Sequence, residues 1–408
     1  MPDAQRGAAS STQAWAAPNA IGPVNAVVTL PGSKSITNRA LVLAALADRP
    51  GLIRRPLRAR DTLLMAAALR ALGTRVDEQP GPSGSTEDPA WLVTPAISRP
   101  GGGRRAAAVD VGNAGTVLRF MPPVAALTKC DTAFDGDPRA RERPVGPLIA
   151  ALRELGACID DGGRGSLPFI VHGSGTVAGG CVTLDASSSS QLVSALLLAG
   201  ARFRKGVEVR HHGPPVPSAP HIALTIGMLR DAGIHAEASA RDLWRVHPGP
   251  LRARTVDVEP DLSNAAPFLA AALVTGGTVT IPGWPGQTSQ PGDQLRDLLT
   301  RMGGSCDMTP EGLAVRGGGE IRGITADLRE VSELAPVLAA LAALASSPSR
   351  FTGIAHMRAH ETDRLAALAS QINALGGRAS ELADGIAIMP HPLSAGASSV
   401  FSTYDDHR

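Results

Sequence analysis

"PGSKSITNRALVLAALA" (Pro31–Ala47) sets a lysine, two serines, a threonine, an asparagine and an arginine at the head of an Ala/Leu/Val run. Anion-seeking groups at the start of an apolar run predict a helix whose N-terminus, already favourable to negative charge, faces a ligand. If Ser35 caps that helix, Arg39 stands one turn along the same face, and Lys34, Ser35 and Arg39 converge on one anion. The stretch is not a nucleotide P-loop, because Gly32 alone precedes Lys34 and the spaced second glycine of that motif is missing.

Similar starts recur down the chain: "NAGTVLRFMPPVAAL" at Asn113, "SSSQLVSALLLAGA" at Ser188, "SNAAPFLAAALVTGG" at Ser263 and "SELAPVLAALAALA" at Ser332. Helices apolar nearly all round should lie buried at the centre of a domain. A second landmark keeps the same period. "LRALGTRVD", "LRELGACID", "LRDAGIHAE", "LTRMGGSCD" and "INALGGRAS" each read as a helix end, a glycine C-cap and a strand. Their glycines, at 73, 156, 233, 303 and 376, are 83, 77, 70 and 73 residues apart. The chain is thus a tandem of α/β units far longer than solenoid repeats. A third landmark, "RARDT" (58–62), "RARER" (139–143) and "RAHET" (358–362), places cationic and capping groups at the start of a unit's second helix.

With 408 residues and 43% hydrophobic content, the chain is too large for one typical core, and two domains are expected. Net charge is +2 with no polybasic block, which argues against a nucleic-acid footprint. The only lysines are Lys34, Lys129 and Lys205, so arginine carries nearly all positive charge. Cys130, Cys158, Cys181 and Cys306 lack CxxC spacing, which fits a reducing cytoplasm and neither a zinc knuckle nor a disulfide framework. The N-terminal residues have no apolar signal core and are expected to form a disordered tail, and no apolar run is long enough to span a bilayer.

"PGSKSITNRALVLAALA", "GNAGTVLRF", "DPRARERP", "SSSSQLVSALLLAGA", "HETDR" and "YDDHR", in this order from about Leu30 to Arg408, resemble the signatures of the 5-enolpyruvylshikimate-3-phosphate synthase (3-phosphoshikimate 1-carboxyvinyltransferase) family. The resemblance implies an α/β (α+β) fold, a two-domain inverse α/β barrel of six βαβαββ-like units with the active site in the cleft. Residues 1–30 would be a tail and a first strand joining the C-terminal domain. Residues 31–256 would form the first three-unit domain and 257–408 an incomplete second one. The chain would cross between domains near Leu30–Ser33 and again near Val256–Pro260. The implied reaction moves the enolpyruvyl group of phosphoenolpyruvate to the 5-hydroxyl of shikimate 3-phosphate, releasing phosphate, in the shikimate pathway of aromatic amino acid biosynthesis. That enzyme is the target of glyphosate. No metal, cofactor or covalent nucleophile is needed, and a cytoplasmic monomer acting on two small molecules, without nucleic acid or membrane, is expected.

By the same resemblance Lys34, Ser35, Arg39, Ser189, Ser190, Gln191, Glu333 and His360 hold shikimate 3-phosphate. Lys34, Gly115, Arg139, Gln191, Arg364 and Arg408 surround phosphoenolpyruvate. Glu361 handles the methylene proton and Glu333 faces the hydroxyl, with Lys34 and His407 completing the catalytic set. Glu333 stands where the family usually has aspartate, His360 where it often has lysine, so that a fixed cation becomes one titrating near neutrality, and His221 where it usually has tyrosine. A family lysine would fall beyond Arg408. Counting "DHR" as the entry to a sixth helix, the repeat leads us to expect a natural product roughly 30–50 residues longer, and a catalytically impaired anion-binding fragment is one alternative reading. The other is the related UDP-N-acetylglucosamine enolpyruvyl transferase, which carries a cysteine in the loop where this chain reads "DPRARERP"; Cys130 lies ahead of that loop. His356 and His360, at i and i+4, have no third partner at metal-ligand spacing.

Overall fold

The computed structural model describes residues 15–80, 89–96, 105–394, 400–404 and 406. Most of the expected tail, together with His407 and Arg408, lies outside the described residues.

The chain opens with β1 (Asn25–Val27), α1 (Lys34–Ala45), β2 (Gly51–Arg54), α2 (Arg60–Ala71), β3 (Arg75–Gln79) and β4 (Ala90–Thr94). Next come β5 (Arg105–Asp110), α3 (Gly115–Ala126), β6 (Cys130–Asp135), α4 (Pro138–Glu142), α5 (Gly146–Glu154), β7 (Cys158–Asp160) and β8 (Phe169–His172). A third unit holds β9 (Gly180–Leu184), α6 (Ser190–Gly200), β10 (Val207–His211), α7 (Pro220–Asp231), β11 (Ala236–Ala240) and β12 (Leu243–Val246). After β13 (Thr255–Asp257) follow α8 (Ala266–Thr275), β14 (Thr278–Pro282), α9 (Leu295–Arg301), β15 (Gly304–Thr309) and β16 (Gly312–Gly317). The last unit is β17 (Thr325–Asp327), α10 (Ala335–Ala343), β18 (Ser349–Thr352), α11 (Arg364–Ala374), β19 (Arg378–Leu382) and β20 (Gly385–Met389).

These strands form five four-stranded sheets among the described residues, all with one topology: a parallel edge pair, then two antiparallel neighbours. The repeat read from the glycines is therefore real. All five C-cap glycines have positive φ, between 83° and 105°, the region where a side chain would be strained, and each is followed by a strand.

In three sheets the parallel edge strand is local, but two exchange it over long range. β1 pairs with β14, whereas β13 pairs with β2. The two crossing segments run side by side and are joined by a bridge between Gly32 and Pro260. Buried apolar side chains accordingly fall into two clusters, one from Ile36 to Val258, the other comprising Leu30 and residues from Leu262 to Ile388.

The central-helix expectation holds for α3, buried along its whole length, and for α6, buried at all but one of its residues. It holds less well for α8 and α10. Two helices cannot cover each other on every side: Phe268 is left exposed on α8, and Val274 and Leu344 are exposed in an apolar groove of about 630 Å³ bounded by α8, α10, α11 and residues 401–404.

Candidate active site

The starts of the central helices converge on one cavity of about 140 Å³, lined from both clusters. Ser33 and Lys34 open α1, Thr116 lies in the first turn of α3, and Ser188–Gln191 lead into α6. From the other side come Ser332 and Glu333, ahead of α10, with Glu361 and Arg364 at the start of α11. Unpaired N–H groups and helix dipoles thus point at a common volume and favour anions there. Ser33, not Ser35, is the residue before α1, because the helix begins at Lys34, whose N–H donates to Asp261 Oδ2 at 3.0 Å. The Lys34 ammonium lies 3.1 Å from Asp61 Oδ2. Ser189 caps α6, its hydroxyl accepting from Gln191 N–H at 3.2 Å.

The arginines dominate the electrostatics. Arg39 is almost wholly buried and donates to Thr225 Oγ1 at 2.8 Å and to the Ser35 carbonyl at 3.0 Å, with Phe120 5.3 Å from its guanidinium. Arg119 donates to Gln191 Oε1 at 3.0 Å, and Arg143 to the Asn113 carbonyl at 2.7 Å. Burial pushes Arg39 down to about 9, and burial together with Arg143 does the same to Arg119. Both still carry charge at neutral pH. Buried charge without a carboxylate against it is costly unless a ligand supplies the counter-charge. Moreover, Arg119 Nε and Arg143 Nε are buried donors with no acceptor among the described residues. A Cβ on Gly115 would sit 2.7 Å from Arg143 NH2, 2.8 Å from Arg119 NH1 and 3.1 Å from Gln191 Oε1, so this glycine leaves room for three polar groups to meet.

Glu361 sits between two cations, 2.8 Å from Arg364 NH2 and 3.6 Å from Arg143 NH1. Arg364 also forms a bidentate pair with Asp406 at 2.6 and 2.8 Å. Burial opposes the charge on Arg364, yet the bonds to Asp406 and the nearby Glu361 raise its pKa overall. Glu333 accepts from Ser263 Oγ at 3.4 Å and lies 3.8 Å from His221 Nε2.

His360 differs from its expected role. Burial, then Arg364 beside it, holds the ring well below the ordinary histidine range, and its Nδ1 accepts from Arg364 NH1 at 3.1 Å. It is a neutral acceptor at physiological pH, not a cation titrating near neutrality. Burial likewise lowers His221, and it pushes His356 to about 4. His356 lies in a short 3-10 helix (Ala355–Ala359) with its ring edge-on to His360 at 5.3 Å, and among the described residues no group of His, Cys, Asp and Glu could hold a metal.

Lys34, Ser35, Arg39, Ser189, Ser190, Gln191, Glu333, His360, Glu361 and Arg364 all line this cavity, and Gly115 packs against its arginines. Arg139 does not line it. Its guanidinium donates to the carbonyls of His360 and Arg358 instead, both at 3.2 Å. Of the arginines in "RARER" it is Arg143 that enters, because α4 ends at Glu142 and Arg143 leaves the helix in an extended conformation (φ −75°, ψ 131°). Sequence reasoning also passed over Arg119. It had a signal: an arginine four residues into an apolar helix, placed after Gly115 as Arg39 is after Ser35. No helix among the described residues is long and apolar enough to cross a membrane.

Comparison with known proteins points to one family. The family model described as EPSP synthase (3-phosphoshikimate 1-carboxyvinyltransferase) matches residues 18–408. A protein of Kocuria rhizophila named 3-phosphoshikimate 1-carboxyvinyltransferase is 52% identical over 400 residues, covering 97% of this chain and 88% of its own. One of the same name from Mycobacterium ulcerans is 51% identical over 405 residues, covering 98% and 90%. Two structures of EPSP synthase from Acinetobacter baumannii superpose with TM-scores of 0.71 and 0.69 at 24% identity, covering 94% of this chain and 86% of theirs, and so support the two-domain α/β fold. The chain belongs to the EPSP synthase (3-phosphoshikimate 1-carboxyvinyltransferase) family.

Proposed function

We propose that this protein transfers the enolpyruvyl group of phosphoenolpyruvate to the 5-hydroxyl of shikimate 3-phosphate and releases phosphate; its relatives are named 3-phosphoshikimate 1-carboxyvinyltransferase. The observation that carries this reading is the meeting of helix starts with buried arginines whose Nε atoms lack acceptors. Two polyanionic substrates would supply both the acceptors and the counter-charge.

On this reading the domains divide at about residue 257, with β1 belonging to the second, and the substrates divide with them. Shikimate 3-phosphate lies against residues 31–256, held by Lys34, Ser35, Arg39, Ser189, Ser190 and Gln191, with Glu333 and the neutral His360 opposite. Phosphoenolpyruvate lies across the cleft between Lys34, Gly115, Gln191 and Arg364. To these we add Arg119 and Arg143 on the strength of their orphaned donors. We retain His407 and Arg408 from the family resemblance.

The chemistry requires a proton delivered to the methylene carbon of phosphoenolpyruvate while the 5-hydroxyl attacks the adjacent carbon and loses its own proton. The tetrahedral adduct then collapses: the new methyl returns a proton and the phosphate leaves with the C–O electron pair. Glu361, beside two guanidiniums, carries the carbon-bound proton, and Glu333, beside His221 and Ser263, serves the hydroxyl. The departing phosphate gains negative charge next to cations already in place, which is how a preorganised site lowers the barrier to collapse. The protein acts as a cytoplasmic monomer on this reading.

Phosphate release on mixing both substrates tests the proposal. No release with shikimate 3-phosphate, or equal release with UDP-N-acetylglucosamine in its place, would refute it.

A further inference from the structure

Arg139 spends its guanidinium on protein. Nε donates to the His360 carbonyl and NH2 to the Arg358 carbonyl, both at 3.2 Å, while NH1 is 2.5 Å from Glu142 Oε2 on its own short helix α4. The two carbonyls lie more than 200 residues away in sequence, in the segment that carries Met357 and Leu365 of the other hydrophobic cluster. They mark the end of the 3-10 helix that precedes Glu361, where outward-facing carbonyls attract a cation.

That end is itself anchored. Arg358 pairs with Glu381 and donates to the Leu382 carbonyl at 3.1 Å, so a pull on its backbone is passed to the β19–β20 hairpin. Arg143, four residues after Arg139, lies against the Glu361 side chain at 3.6 Å. One short segment therefore holds the backbone before Glu361 with Arg139 and meets its carboxylate with Arg143. Across the cavity a second seam joins the two halves, with Ser218 N–H donating to the Arg329 carbonyl at 2.7 Å and the Ser218 and Ser332 hydroxyls 3.3 Å apart.

We infer that Arg139 is a closure latch, a positioning residue that binds no substrate but clasps the Arg358 and His360 carbonyls when the cleft shuts and so sets Glu361 against the reacting carbon. Glu142 keeps the guanidinium aimed while the cleft is open. The inference rests on the proton role given to Glu361. It replaces the direct contact of Arg139 with phosphoenolpyruvate implied by the family resemblance.

The test compares wild type with Arg139→Gln, Arg139→Lys and Glu142→Gln. Small-angle scattering follows compaction on adding shikimate 3-phosphate and phosphoenolpyruvate, calorimetry gives the affinity for shikimate 3-phosphate alone, and phosphate release gives kcat and KM. With the latch cut in Arg139→Gln, kcat/KM for phosphoenolpyruvate should fall about 10- to 100-fold, the scale of one or two lost charge-assisted bonds. Compaction should be incomplete, yet shikimate 3-phosphate should bind alone as it does to wild type. Arg139→Lys, able to reach one carbonyl but not fork to two, should recover part of the loss, and Glu142→Gln should lose less. Full compaction with unchanged kcat/KM in Arg139→Gln would overturn the latch, as would weakened binding of shikimate 3-phosphate alone. Failure of wild type to release phosphate would strike at the proposed reaction instead, while its compaction against that of Arg139→Gln would still decide the latch.

Discussion

Acidifying the ligand-free protein should destabilise it through the cleft histidines before its carboxylates begin to protonate. Burial lowers His356, His360 and His221 in the folded chain, whereas an unfolded chain titrates them near 6.5. Below that value the unfolded state takes up protons first, so stability is full above about pH 6.5 and is lost as pH falls toward the folded values. For His356, held at about 4, the loss on reaching about pH 4.5 is about 2–3 kcal/mol, since each unit of pKa difference is worth roughly 1.4 kcal/mol. The other two add in the same direction, against a domain stability of about 5–15 kcal/mol. Carboxylates held low by partners, such as Asp161 beside Arg153 and Glu208 beside Arg245, both at about 2, add to the loss only from about pH 5 downward, where the unfolded chain starts to protonate them. Urea unfolding across this window should give a steeper dependence on pH for wild type than for His356→Gln, which keeps a polar head but cannot titrate. Parallel lines for the two would refute the reasoning that burial of His356 sets the slope.

Arg143→Gln should weaken phosphoenolpyruvate binding by about 1.5–3 kcal/mol, the range for a hydrogen bond to a charged group, and calorimetry with shikimate 3-phosphate alone should show little change; an unaltered KM for phosphoenolpyruvate would remove Arg143 from the site. Glu361→Gln should retain both substrates while kcat falls by about 10²–10⁴, the usual contribution of a general acid or base; a wild-type turnover rate would return Glu361 to a purely structural place between its two arginines. Because His360 is already neutral well above its lowered pKa, His360→Lys should change the KM for substrate without altering how KM varies between about pH 7 and 8.5, a range far from its titration. A slope that flattens in the variant would mean that the ring is solvated and titrates normally.

The repeat was legible because it is written in local physics. Gly73, Gly156, Gly233, Gly303 and Gly376 adopt backbone angles that other residues avoid, and the Ala/Leu-rich runs after Ser35, Asn113, Ser188, Ser263 and Ser332 became the helices that aim at the cavity. What stayed hidden depended on partners far away. The family resemblance implied a first strand joining the C-terminal domain, but nothing local in "TVD" at 255–257 or "NAV" at 25–27 announces that these short strands pair with β2 and β14. The choice among Arg139, Arg141 and Arg143 turned on where a five-residue helix stops, a matter of one residue. The histidine at 360 kept its place in the cleft but not its charge, because burial is a property of the packed neighbourhood and has no local sequence signal.

The exchange of β1 and β13 also orders events in time. Residues from α1 to β13 form a contiguous block inserted after β1, and β1 meets its partner strand 253 positions later. At a synthesis rate of about 5–20 residues per second, that partner emerges roughly 10–50 seconds after β1. By the end of this interval the first half of the molecule has all three of its own sheets, whereas β1 must wait unpaired throughout. Nascent chains arrested just beyond Asp257 should therefore already resist protease from α1 onward, with the segment ahead of Pro31 still open to cleavage. Release of the full chain would close that window.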